Sequence, residues 1–261
     1  MRKIVAVINQ KGGVGKTTVS INLATGLAQA GYNTLLVDLD PQAHSTIGIG
    51  IEPGSYDDDI HNVLVHKKNI DDIILPTAID GLFLAPASIH LDKAEWDLFK
   101  MFRSERFLHR ALRNLSYDFV VLDCRPTLGT LTINAVYSCD FVLVPCTTSR
   151  FSLEGFADLL ETYDMVKNDE EQDGPKAHDL KIVVNMLDPR KTIMRDWMFE
   201  ELKPYRELLM ETIIRQDDAI NKAQAVGLPV IRFQPGSHGA NDFNLLTKEF
   251  LNICHQASES N

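Results

Sequence analysis

Five short stretches of the chain are apolar without interruption: Ile4 to Ile8, Leu35 to Val37, Phe119 to Leu122, Phe141 to Val144 and Ile182 to Val184. A strand with one wet face alternates apolar and polar residues, whereas unbroken runs suit parallel strands covered on both faces. Between these runs the period changes. Val19, Leu23 and Leu27 share one helical face, and Leu153, Phe156, Leu160 and Tyr163 keep helical spacing. Strands alternating with helices predict an α/β fold, a doubly wound and mostly parallel sheet flanked by helices, with residues 1–261 forming a single domain. The stretch from Ile47 to Ser116 is less periodic. There "LFLAPA" (Leu82 to Ala87) is expected to add a strand, followed by helices on either side of Ser104. Near the end, Phe243, Leu246, Phe250 and Ile253 form an apolar stripe that predicts a docked terminal helix.

Composition narrows the class. At 261 residues and 44% apolar, the chain can bury a substantial core. No run of 18 apolar residues occurs, so no membrane span is predicted. The opening "MRKIVAV" enters a strand-like run at once, which leads us to expect neither a signal peptide nor an appended N-terminal domain. Four cysteines, Cys124, Cys139, Cys146 and Cys254, lack C-x-x-C spacing, so a reduced cytosolic protein without a disulfide or metal framework is expected. The net charge is −10, and nine acids against two lysines fall between Phe151 and Leu180. Their focus, Lys167 to Asp179, suggests a solvated loop after a helix. A nucleic-acid binder usually carries a basic excess, so any DNA contact would need a local patch.

The chemistry starts at "NQKGGVGKTT", Asn9 to Thr18. The usual phosphate-binding pattern is G-x-x-x-x-G-K-[ST]. Here its first glycine is replaced by Gln10, and an extra cation, Lys11, precedes Lys16. The loop follows a buried strand and opens a helix, as a phosphate cradle requires. Gly12, Gly13 and Gly15 let backbone N–H groups, with that of Val14, face phosphates without Cβ interference, and the helix turns its positive end towards them. Lys16 is then expected on the β- and γ-phosphates and the Thr17 hydroxyl on Mg²⁺. Asp38 and Asp40 end one apolar run and Asp123 another, where acids that manage Mg²⁺ and water belong.

These segments, "KGGVGKTT", "LLVDLDPQAHST" and "VVLDCRPTLGTLTINAV", resemble the ParA/Soj branch of the ParA/MinD ATPases, the P-loop NTPases with a deviant Walker A motif. "LEGF" at Leu153, "NML" at Asn185 and "GLPV" at Gly227 extend the resemblance through the tail. The resemblance implies an ATPase that partitions plasmid or chromosomal DNA, or positions other cargo, on the nucleoid. It implies ATP and Mg²⁺ as cofactors and an ATP-dependent homodimer in which Lys11 reaches the partner's phosphates. By the same resemblance Asp40 orients or deprotonates the attacking water. Asp38 supports the Mg²⁺ shell, Asp123 holds Mg²⁺ through water, and Thr18 meets the α-phosphate. Asn185 matches an adenine-binding asparagine, with a core amide as the alternative reading. Non-specific DNA and a ParB-like or other cargo adaptor are the implied partners, without a membrane.

The chain also departs from its relatives. Their second switch usually reads D-C-P-P-S-L-G, and here Arg125 and Thr127 intrude; Ser149 stands where a glutamate is common. Their C-terminal P-R-N-x-R-x-x-E-A-P segment, whose arginines help bind DNA, becomes "IRQDDAINKAQAVGLPV". Arg215 survives beside Asp217 and Asp218. Between Lys181 and Arg232 nine bases face eight acids. A dimer could align Arg190, Lys191, Arg195 and Arg215 into one DNA-binding face; scattered, solvated bases are the alternative. A MinD-like or orphan ATPase positioning a protein assembly, without DNA binding, is the alternative function. A nitrogenase-like reductase would need a cysteine partner for Cys124, and the sequence offers none.

Overall fold

The computed structural model describes residues 2–148, 155–173 and 179–259. Strand β1 (Lys3–Val7) leads through the glycine loop into helix α1 (Lys16–Gln29), then β2 (Thr34–Leu39) and the short α2 (His44–Gly48). Helix α3 (Ile60–His66), strands β3 (Leu75–Pro76) and β4 (Leu82–Ala85), and helices α4 (Leu91–Phe99) and α5 (Phe107–Leu112) follow. The chain continues with β5 (Phe119–Cys124), α6 (Thr130–Ser138), β6 (Phe141–Cys146) and α7 (Phe156–Asp173). It closes with β7 (Asp179–Leu187), α8 (Thr192–Glu201), β8 (Leu209–Arg215), α9 (Asp218–Ala225), α10 (Val230–Phe233) and α11 (His238–Glu259).

The eight strands form one sheet in the order β3-β4-β2-β5-β1-β6-β7-β8, parallel except for β3 against β4. All five strands expected from unbroken apolar runs are present; β1 is offset by one residue from its run, and the other four runs sit inside somewhat longer strands. The reason for those runs is visible along β1: Ile4, Ala6 and Ile8 enter the core on one face, Val5 and Val7 the core on the other. A strand buried on both faces favours an unbroken apolar run along most of its length.

Helices α1 and α9 to α11 cover one face, α3 to α7 the other. Val19, Leu23 and Leu27 are fully buried, as their spacing predicts. So are Phe243, Leu246 and Phe250, and the Phe250 ring packs edge-on against Phe141 with centroids 5.1 Å apart. Burying one such side chain contributes about 1.5–3 kcal/mol. The apolar stripe of α11 is therefore spent on the sheet. Among the described residues no helix is long and apolar enough to cross a membrane. Helices lie on either side of Ser104, which opens a 3₁₀ turn over Ser104–Arg106.

One expectation changes, and part of another falls outside the described residues. Leu153 and Ser149 lie outside the described residues, though Phe156 and Tyr163 of that helix face are buried. The acidic stretch expected as a loop is helical up to Asp173. Glu, Gln and Lys favour helix as well as solvent. Charge alone does not separate the two states.

Candidate active site

The loop after β1 leaves the sheet at its centre, where β1 pairs with β5 on one side and β6 on the other. This is the point where strand order reverses and ligands bind in open α/β sheets. A cleft of about 580 Å³ opens here, lined by Gly12, Gly13, Gly15, Lys16, Thr17, Thr18 and Asp40 together with Asp92, Arg125, Met186 and Gln224.

Loop shape is enforced by glycine at one position above all. Gly15 caps α1 at φ +84°, and a Cβ there would come within 2.3 Å of Asn185 Nδ2. By contrast, Cβ positions on Gly12 and Gly13 would meet nothing within 4 Å, so the backbone there borders open space. Asn185, at the end of β7, is buried and donates its amide to the Val14 carbonyl at 2.8 Å. Its oxygen accepts the Met186 N–H at 2.9 Å, which helps hold Met186 at φ 55°. This amide buttresses the phosphate loop from behind. Lys11 is anchored through its backbone: its N–H donates to Asn9 Oδ1 at 2.9 Å and its carbonyl accepts Lys16 Nζ at 3.1 Å.

Lys16 is only 7% exposed. Burial lowers its pKa, while Asp123 and Asp40 favour the charged form. The acids themselves are stacked by strand register, Asp38 directly opposite Asp123 on β2 and β5, both fully buried. Burial raises the pKa of each, and for Asp38 the charge of Asp123 adds to it. Asp38 accepts from the Thr46 N–H and hydroxyl and from the Asp40 N–H. Asp123 accepts from the hydroxyls of Ser20 and Ser45, and Thr17 also bonds to it. Asp40 is half-exposed at the cleft and turns its carboxylate towards the Gln42 N–H at 3.0 Å. Two buried carboxylates beside a hydroxyl-bearing loop suit a divalent cation, whose charge would offset their mutual repulsion.

Ser20, Ser45, Thr46 and Gln224 belong to this site and are absent from the sequence expectations. Gln224, on α9, donates to Thr18 Oγ1. The signal for Ser45 and Thr46 was present in "DPQAHST", but only the fold shows which acid each hydroxyl reaches.

The four bases expected at a DNA face are less uniform. Arg190 and Lys191 lie in the turn after β7, and Arg190, with its side chain 86% exposed, forms a bidentate pair with Asp188. Arg195 pairs with its neighbour Asp196. Arg215 ends β8 and is clamped to Asp242 of α11. Asp217, half-exposed, caps α9 by accepting from the Ala219 N–H and also accepts from the Gly239 N–H.

Comparison with known proteins agrees with this architecture. An AAA domain family, AAA_31, matches residues 2–174. The chain is 38% identical over 252 residues to the sporulation initiation inhibitor protein Soj of Bacillus subtilis, covering 95% of this chain and 98% of that one. It is 35% identical to the chromosome partitioning protein ParA of Myxococcus xanthus, over 95% of this chain and 88% of the relative. Among solved structures it is similar to cobyrinic acid a,c-diamide synthase from Mycobacterium smegmatis with bound ADP and magnesium. That match has a TM-score of 0.83 at 29% identity, over 98% of this chain and 97% of that one. Likeness carried over nearly the whole chain, on a loop shaped for phosphates, makes this protein a member of the ParA/Soj branch of the ParA/MinD ATPases.

Proposed function

We propose that the protein is an ATP-driven positioning enzyme that works as a nucleotide-dependent homodimer and carries DNA cargo on the nucleoid. The observation that carries the reading is the cleft itself: open glycine backbone, a buried lysine and two strand-end acids meet at the sheet's switch point. ATP is the substrate. Mg²⁺, held by Thr17 with Asp38 and Asp123 behind it, would offset phosphate charge. Lys16 binds the β- and γ-phosphates, and Asp40 receives or orients the proton of the water that attacks γ-phosphorus, releasing ADP and phosphate. Lys11 completes the site of the second subunit, so loss of the γ-phosphate loosens the dimer.

DNA cargo, with a ParB-like adaptor to couple it, is supported by the chromosome-partitioning proteins to which the chain is similar. One observation favours the second reading, positioning of a protein assembly without DNA: Arg190, Arg195 and Arg215 all have carboxylate partners. Asn185 belongs to the adenine side of the cleft in our reading, acting chiefly through the loop it supports. Light scattering tests the core of this proposal. The mass should double with ATP and Mg²⁺ and stay that of one chain with ADP and Mg²⁺; one mass under both conditions contradicts it.

A further inference from the structure

Arg125, a departure of this chain from the usual second-switch pattern, has specific partners. Its Nη1 donates to Glu95 Oε2 at 3.1 Å and lies 3.4 Å from Asp92 Oδ1, both on α4. Glu95 uses its other oxygen to accept the Leu131 N–H at the start of α6, at 3.4 Å. Gly129 leaves room for this carboxylate, since a Cβ there would lie 1.9 Å from Glu95 Oε1. The arginine side chain is 21% exposed, and its Nε is buried without a hydrogen-bond partner.

The same arginine faces the nucleotide cleft. Arg125 and Asp92 line it together with Gly12, Lys16, Thr17 and Asp40. A guanidinium has five N–H donors in a fork that matches phosphate oxygens, and here most of that capacity is unused. Its sequence position, two residues after Asp123, brings it to the end of the cleft where the strand-end acids lie. Two carboxylates around one guanidinium leave a local excess of negative charge. They form a resting clamp that an incoming dianionic terminal phosphate can compete with.

We propose that Arg125 is a γ-phosphate sensor supplied by the same subunit, held at rest by Asp92 and Glu95 and exchanged onto the terminal phosphate when ATP enters. This rests on the ATPase reading above and adds to it a reason for discriminating ATP from ADP.

The test is a pair of affinities in Mg²⁺, for a fluorescent non-hydrolysable ATP analogue and for fluorescent ADP. Arg125→Ala should weaken the ATP analogue about tenfold or more while ADP binds as to the wild type, and Arg125→Lys should fall between. Asp92→Asn with Glu95→Gln frees the arginine and should tighten the ATP analogue without changing ADP. Equal effects on both nucleotides, or none, overturn the sensor while wild-type binding keeps the ATPase reading. Should Arg125→Ala lack a cooperative melt, the carboxylate double variant decides: no ATP-specific gain overturns the proposal. A wild type that binds neither nucleotide overturns both readings.

Discussion

Ser45 and Asp123 are joined by a buried hydrogen bond across 78 residues of sequence, the hydroxyl of α2 donating to the acid at the end of β5 at 2.5 Å. A hydroxyl on a carboxylate at this separation is charge-assisted. It ties the segment after β2 to the acid expected to hold Mg²⁺. Ser45→Ala removes a bond to a buried charged group, worth about 1.5–3 kcal/mol. For a chain of this size the melting temperature should fall by roughly 3–10 °C. Thermal unfolding by circular dichroism checks it; an unchanged melt would mean that the bond carries no weight.

Asp40 stands apart from the other two acids. It is half-exposed at the cleft, while Asp38 and Asp123 are buried among hydroxyl and amide donors. Asp40→Ala should therefore fold and bind ATP normally, with hydrolysis falling by about 10²-fold or more, the usual worth of a general base. Lys16→Ala should fail earlier, at nucleotide binding. Phosphate release measured beside nucleotide binding separates the two, and an Asp40→Ala enzyme at wild-type speed would shift the role to another acid.

The Asn185 amide holds the Val14 carbonyl of the loop. If its main work is that support, Asn185→Ala should weaken ATP, ADP and GTP by similar factors, on the order of tenfold for one lost buried bond. An adenine contact would show instead as lost preference for ATP over GTP. Gly15→Ala, forced into φ +84° against Asn185, should abolish binding of all three. Competition binding with the three nucleotides is the measurement.

DNA binding should require ATP, ignore sequence and fall steeply with salt. Arg190→Glu with Lys191→Glu reverses two exposed charges at the turn after β7 and should reduce the salt slope by about 0.9 for each lost phosphate contact. Arg215 is a poor site for the same change, because a glutamate there would face the buried Asp242. Electrophoretic shifts over a salt series check this; wild-type protein that ignores DNA at low salt with ATP would favour the protein-assembly reading.

What sequence reveals here follows from what is local. Residues buried on both sides of a strand are mostly apolar, so β1, β2, β5, β6 and β7 announce themselves, and the loop between β1 and α1 announces its ligand class by glycine and lysine. Partners across the fold do not announce themselves. "HST" contains no sign that Ser45 meets Asp123 while Thr46 meets Asp38, and "DCRP" does not point to Glu95 on α4. That Asp217 caps α9 depends on where this helix begins, which sequence locates poorly. Strand β8 went unseen because "LMETIIR" mixes exposed and buried positions at the sheet's edge.

The central claim is that each site is completed by the other subunit's Lys11, and mixing two inactive variants tests it most directly. Lys11→Ala retains Asp40 but lacks the reaching lysine; Asp40→Ala retains the lysine but lacks the water-handling acid. Neither homodimer has a complete site. A mixed dimer has one, in the Lys11→Ala subunit, served by Lys11 of its partner. Mixed before ATP is added, with Lys11→Ala in excess, the pair should hydrolyse ATP well above the sum of the separate rates. A mixture no faster than that sum would place Lys11 in its own subunit's site, or outside the chemistry, and would contradict the shared dimer.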